Sequence, residues 1–317
     1  MIIAYSSRSS FSPPHLRMTY LAKALKEKGV EVKLLNVPQS RLQYFKSLFK
    51  KVKAEEALFS VPPAYVPAFI KARRLFADVR DPWDVYLSES SRLKRAIGFF
   101  ALKEYMDSLR KSEFLVATTR SIAEHYRSLL KREVEVIPNG TDPKRLRCEE
   151  NTEGMVLVAD FRNPYLPLEP LFEAVKGLEM PLRLIGPGSE AYGGMGPVSY
   201  YDLPRVACAR VGIIPRPFKG KTYQMTIPQK AYDYMALGLC IFAYGPPGEL
   251  QRLIEGNGIG AYATRPEEVK EKLMECLEMK DAGLKARELA EKVYDREKLS
   301  EEYAKLLLPR LTSSRRS

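Results

Sequence analysis

The chain has 317 residues, 45% hydrophobic and 28% charged, with a formal net charge of +12. That length predicts two domains, and the longest apolar runs, such as "AIGFFAL" at 96–102, are far shorter than the roughly 20 residues that a membrane span needs. Its 4 cysteines have no paired spacing and there are only 2 histidines, which argues against a zinc site and His or Cys metal catalysis and predicts reduced thiols.

Residues 1–6, "MIIAYS", read as a first strand and lack the charged start and long apolar stretch of a signal peptide. A polar loop, "SRSSFSPP", leads into the helix "HLRMTYLAKALKEKG", where Leu16, Tyr20, Leu21, Ala24 and Leu25 form a stripe and Gly29 is the stop. "VEVKLLNV" is the next strand. The spacing of Leu42, Phe45, Leu48, Phe49 and Val52 predicts a helix over 40–53, ringed by Arg41, Lys46, Lys50, Lys51 and Lys53. Strands follow near "EALFSV", "FADVR", "EFLVATT" and "VEVIPN", with long helices near 89–111 and 120–131.

After Asn139-Gly140 and a polar stretch the alternation restarts. "MVLVADF", "LRLIGPG", "VGIIPR", "LCIFAYG" and "GIGAYA" are apolar strands, separated by helices near 168–178, 201–209, 228–237, 247–255 and 266–279. Residues 281–309 predict a charged helical tail with an apolar stripe, and "TSSRRS" a frayed end. Short apolar strands alternating with helices indicate α/β architecture with two doubly wound parallel sheets. The expected domains are 1–150 and 151–295, with 296–317 a C-terminal helix and basic tail. Two such domains facing each other would hold a ligand at their strand ends.

Charge follows this division. Residues 1–150 hold 28 Lys and Arg against 17 Asp and Glu, and residues 151–317 hold 23 against 22. A basic first half suits nucleic acid, a phospholipid surface or a phosphorylated substrate. A Lys- and Arg-rich surface of the thermophile kind produces the same asymmetry.

The stretch "TIPQKAYDYMALGLCIFAYGPPGEL", 226–250, concentrates the chemistry. Pro228 suits a first helical turn and Gly238 a helix stop. Lys230 and Asp233 share a face at i, i+3, which is either a surface ion pair or an anion site beside a ribose-binding acid.

Continued to "LQRLIEGNGIG", this stretch resembles the donor-binding segment of family 4 glycosyltransferases, the large retaining group with the GT-B fold. "VEVIPNGTD" at 134–142 resembles the end of their first domain, and "DVRDPW" at 78–83 resembles an element of bacterial and archaeal members. "LRLIGPGSE", "VGIIPR" and "HLRMTYLAKALKEKGVEVKLL" match further segments in the same order. The resemblance implies a divergent archaeal or bacterial member whose C-terminal helix crosses back to the first domain. It implies transfer of a hexose from a UDP- or GDP-sugar to a glycan or lipid-linked acceptor, with retention and without a metal or cofactor.

The same resemblance assigns site residues. Arg162, after the first strand of the second domain, matches the family's arginine, but the family's lysine does not follow it. Lys219, Lys221, Lys230 and Arg216 are the cations available instead, with Lys221 and Lys230 preferred. Asp233 takes the place of the later of two glutamates and is assigned to the ribose, while Met225 stands where the earlier one falls. Gly186 and Gly245 are counted among the donor-contacting turns. "SSRSS" at 6–10 replaces a Gly-Gly pair, leaving Ser6, Ser7 and Arg8 to meet phosphate.

In "DVRDPW", Arg80 and Asp81 are assigned to catalysis, Asp81 orienting or deprotonating the acceptor and Arg80 holding an anion; a pair bracing the turn before Pro82 is the alternative. His15 is a donor or acceptor contact or a helix cap, and His125 a surface or boundary histidine.

The basic stripe at 40–53 fits a segment lying on anionic lipid, or a packed helix with a solvated face. The expected location is cytoplasmic, at the membrane periphery where that stripe docks. Met225 and the missing lysine leave a second reading, a GT-B pair that binds a nucleotide-sugar without transfer. A nucleic-acid binder is motivated by charge alone, and no nucleic acid is expected as partner.

Overall fold

The computed structural model describes residues 1–10, 12–37, 51–150 and 152–312. The chain forms two compact units, one of Met1–Asn139 with Arg296–Ser317 and one of Gly140–Asp295.

The first unit is a six-stranded sheet in the order β2-β1-β3-β4-β5-β6. Its strands are β1 (Ile2–Tyr5), β2 (Lys33–Asn36), β3 (Val52–Val61), β4 (Ile70–Val79), β5 (Phe114–Ala117) and β6 (Glu135–Val136). Every pairing is parallel, with Ile3 opposite both Leu34 and Leu58, and Phe76 opposite Phe114. The helices are α1 (Pro13–Glu27), α2 (Trp83–Ser88), α3 (Arg92–Lys111) and α4 (Arg120–Leu130). Side chains of β1 and α1, including Ile3, Tyr5, Met18, Leu21 and Leu25, pack with Leu58, Phe76 and Val116 of the inner strands.

The second unit is a five-stranded parallel sheet in the order β11-β10-β9-β7-β8. Its strands are β7 (Met155–Val158), β8 (Leu182–Ile185), β9 (Val211–Pro215), β10 (Cys240–Tyr244) and β11 (Gly260–Ala263). Its helices are α5 (Glu169–Val175), α6 (Leu203–Val206), α7 (Lys221–Met225), α8 (Gln229–Ala236), α9 (Glu249–Gly256), α10 (Val269–Glu278) and α11 (Ala282–Lys292). Strand β10 shows why both faces are covered. Ile241 and Ala243 enter one core with α8, α9 and α11, while Phe242 and Tyr244 enter the other with α5 and α10. Leu146 lies in the first of these cores, so the segment after Gly140 packs with the second unit.

The last helix, α12 (Arg296–Thr312), belongs to the first unit. Leu299, Tyr303, Ala304, Leu307 and Leu311 lie in the same core as α1 and β1. This return of the chain matches the expectation for the C-terminal helix. The tail read as one helical segment is two helices, α11 and α12, interrupted near Asp295.

Three readings need correction. Residues 40–53 were expected to be one helix, but Val52 already begins β3; most of that segment lies outside the described residues. Pro228 is the N-cap of α8 rather than its first helical residue, with ψ 147° just before the first turn. The cysteines are paired, as Cys148–Cys208 and Cys240–Cys276. Their partners are 60 and 36 residues apart in sequence, so only the fold brings them together.

Candidate functional site

Strand order reverses once in each sheet, and at such a point the loops leaving neighbouring strands diverge and open a crevice at their C-terminal ends. In the second unit the reversal lies between β7 and β9. The loops leaving these strands carry Asp160 and Arg162 after β7, Gly186–Ser189 after β8, and Arg216–Lys221 after β9.

Arg216 is buried and bent back on its own loop. Its Nη1 donates to Tyr223 O at 2.6 Å and Thr226 O at 2.7 Å, and its Nη2 donates to Thr226 Oγ1 at 2.8 Å. The guanidinium also lies 5.4 Å from the centre of the Tyr223 ring. These contacts tie the β9 exit to the end of α7. Gly245, with φ 151°, passes close by: a Cβ there would fall 2.8 Å from Arg216 Cβ.

Lys230, one residue into α8, is half-buried and makes no hydrogen bond or ion pair among the described residues. Burial first, and the nearby Arg216 charge second, together lower its pKa from 10.5 to about 8. Two cations thus share one corner of this unit, and the ammonium has only weak solvation. A site of this kind favours an anion.

Asp233, one turn further along α8, is buried and does not neutralise Lys230. Its Oδ1 accepts hydrogen bonds from Thr141 Oγ1 at 3.0 Å, Tyr200 Oη at 2.8 Å and Gln229 Nε2 at 3.0 Å. The surface ion pair considered for Lys230 and Asp233 is therefore not formed. Instead the carboxylate gathers Thr141 and Tyr200 onto the start of α8, and Gln229 Nε2 also donates to Gly140 O at 2.9 Å.

Arg162 is exposed and forked onto Asp160, with Nε–Oδ1 2.9 Å and Nη2–Oδ2 2.8 Å. That hydrogen bonding holds its pKa above the ordinary arginine value. Gly186 has φ 132°, and a Cβ there would sit 1.9 Å from Ala159 O. Only glycine lets the β8 exit pass so near the β7 exit. Lys221 begins α7 and is exposed. Met225 is buried at the end of α7.

In the first unit the reversal lies between β1 and β3. Ser6 is buried and donates to Val37 O at 2.8 Å. Ser7 Oγ lies 2.5 Å from Ser12 Oγ, and Ser7 N donates to Asn36 Oδ1 at 3.0 Å. Arg8 is exposed. His15 Nδ1 is 2.9 Å from Tyr5 Oη, so this histidine sits on the end of β1 rather than on a cap. The serine loop is thus tied to the end of β2, with Arg8, Ser9 and Ser10 exposed.

Arg80 and Asp81 leave β4. Arg80 turns inward, donating from Nε to Ser60 Oγ at 3.0 Å and from Nη2 to Pro62 O at 2.6 Å. Its burial lowers its pKa, against the pull of Asp81 and Asp78. Beneath it, the fully buried Asp78 accepts from Arg17 Nη2 at 2.8 Å and from Ser60 Oγ at 2.7 Å. Arg17 also donates to Ile137 O and Pro138 O, fastening α1 to the end of the unit's sheet.

Arg17, Ser60 and Asp78 were not singled out from sequence, and neither was the pair formed by Asp84 and His125, whose Oδ2 and Nε2 lie 2.6 Å apart. Asp84 also accepts from Tyr126 Oη, which in turn accepts from Tyr105 Oη at 2.9 Å. Asp84 stays below the ordinary aspartate range because the hydrogen bonds from His125 and Tyr126 outweigh the opposing effect of burial, which is the largest single influence. His125, read as a surface or boundary residue, is half-buried and anchors α4 to α2 through Asp84.

No protein-family model and no curated protein sequence matches the chain. Solved structures do. A glycosyltransferase from Rickettsia africae ESF-5 superposes with a TM-score of 0.63 at 10% identity, covering 98% of each chain. The lipopolysaccharide outer core galactosyltransferase WaaB, in its apo form, gives 0.58 at 12% identity over 96% of this chain and 100% of its own. AviGT4, a glycosyltransferase involved in avilamycin A biosynthesis, gives 0.56 at 15% identity over 96% of both. Nearly the whole chain therefore has the two-unit α/β fold of GT-B glycosyltransferases.

Proposed function

We propose that this chain transfers a sugar from a nucleoside-diphosphate sugar to a glycan or lipid-linked acceptor. Lys230 carries this reading. An ammonium held half-buried beside a buried guanidinium, without a counter-ion among the described residues, destabilises a protein unless an anion occupies the site. The likeness to glycosyltransferase structures supports a diphosphate as that anion.

In this reading the second unit holds the donor. Breaking the bond between the sugar C1 and the phosphate oxygen leaves negative charge on the diphosphate, which Lys230 neutralises directly and Arg216 through its field. Lys221, and Arg162 once it leaves Asp160, add further donors at the loop ends. Gly186 and Gly245 permit close approach of the backbone to the donor. The ribose diol is assigned to Asp233, exchanging with one of the hydroxyl or amide donors on Oδ1. A UDP- or GDP-sugar is the expected donor.

The acceptor is assigned to the first unit, where Asp81 orients the attacking hydroxyl and Arg80 holds an anionic group; Ser7 and Arg8 are assigned to phosphate oxygens and His15 to a donor or acceptor contact. The acceptor oxygen bonds to C1 on the face from which the phosphate oxygen departs, and its proton passes to that phosphate oxygen, so the sugar is transferred with retention. Family 4 membership is part of this proposal.

Incubating the protein with UDP-, GDP- and ADP-sugars and measuring nucleotide release tests it. Release from one donor class, reduced in Lys230→Met, is expected. The buried Met225, where the family has an acid, and the Arg162–Asp160 pairing favour a second reading, binding without transfer. That reading predicts donor-induced thermal stabilisation with no nucleotide release.

A further inference from the structure

Helix α3 buries side chains at one end only. Its buried residues, Tyr105, Ser108 and Leu109, all lie in its C-terminal half. In the N-terminal half Leu93 is 71% exposed, Ile97 54%, Phe99 59% and Phe100 73%. Gly98 is the inward contact there: a Cβ on it would meet Leu87 Cδ1 of α2 at 2.8 Å. Leu93, Ile97 and Phe100, at i, i+4 and i+7, therefore form a stripe on the side away from α2. Such a stripe normally faces a core, and here nothing described in the chain covers it.

Its flanks are uniformly basic. Arg92, Lys94, Arg95 and Lys103 are exposed, and no acidic residue occurs from 90 to 103. Arg95 Nη1 is held on Ser88 O at 3.2 Å, fixing the helix start. Large apolar side chains bounded by long cations suit a planar surface that is oily inside and anionic outside: the rings and aliphatic chains enter the acyl boundary while Lys and Arg reach the phosphates.

We infer that the N-terminal half of α3 docks the protein on an anionic lipid surface, lying in the interface rather than crossing it. No helix among the described residues is long and apolar enough to cross a membrane. The inference stands apart from the sugar-transfer reading, because it is tested by vesicle binding and not by turnover.

The experiment is co-sedimentation of the full chain with phosphatidylcholine vesicles and with mixed phosphatidylcholine–phosphatidylglycerol vesicles. We expect binding to the mixed vesicles alone, weakened on the order of tenfold by the triple variant L93S/I97S/F100S and similarly by R92E/K94E. These side chains are exposed, so circular dichroism and melting temperature should match the wild type. Absence of binding to the mixed vesicles, or equal binding by the triple variant, overturns the inference. So does a dimer in sedimentation velocity that the triple variant dissociates while vesicles remain unbound, which would assign the stripe to a second copy.

Discussion

Under the proposed function, Lys230 is the residue on which stability and anion binding oppose each other. Its folded pKa, about 8, lies below the ordinary 10.5, so between these values the unfolded chain binds the extra proton. The ammonium therefore weakens the fold at pH below about 8, and this penalty disappears as the pH rises towards 10.5. Lys230→Met should remove that pH dependence and raise stability by on the order of 2 kcal/mol at pH 7, read by denaturant unfolding at two pH values. Asp233 has the opposite character. Asp233→Ala leaves the donors from Thr141, Tyr200 and Gln229 without their acceptor, and about 2–4 kcal/mol should be lost. The placement of Lys230 at a helix start and of Arg216 at a strand exit was legible in the sequence from the helix and strand signals beside them. Arg17–Asp78 and Asp84–His125 were not, since these partners stand 61 and 41 positions apart and nothing local marks them.

Among the elements, the apolar strands were read almost to the residue where burial is complete, as in β9 and β10. Strand β3 was read only in part. Its first half, "VKAEE", is exposed or half-buried and charged, and only from Ala57 does it enter the core. The short helices α2 and α7, of 6 and 5 residues, are too brief for periodicity to show. The disulfides link elements that sequence spacing could not pair. Cys240–Cys276 ties β10 to α10, and Cys148–Cys208 closes a longer loop around β7 and β8. Chain-entropy reasoning gives each bond about 4 kcal/mol, so a reducing agent or Cys148→Ser should lower the melting temperature of the second unit clearly below that of the untreated protein.

At the scale of the whole molecule, the first unit is not complete without the end of the chain. A chain ending at Asp295 lacks Leu299, Tyr303, Leu307 and Leu311, all buried in the core with α1. At about 2 kcal/mol each, their loss approaches the full stability of an ordinary domain. Limited proteolysis of that truncated chain should degrade residues 1–139 first, whereas both units of the full chain should resist. The two-sheet α/β class was legible because the strand–helix alternation occurs twice. The boundary was less so, because the segment from Gly140 to Leu146 is polar in sequence and its anchoring depends on Thr141 and Leu146 reaching partners far along the chain.

The most direct test of the account is calorimetric titration of wild type and Lys230→Met with UDP and with GDP, at pH 7 and pH 9. The account predicts that one nucleotide binds the wild type, more weakly at pH 9, because the anion requires the protonated ammonium. It also predicts that Lys230→Met, folded and at least as stable, loses on the order of tenfold in affinity. Equal affinity in the two proteins, or no binding of either nucleotide, would contradict it.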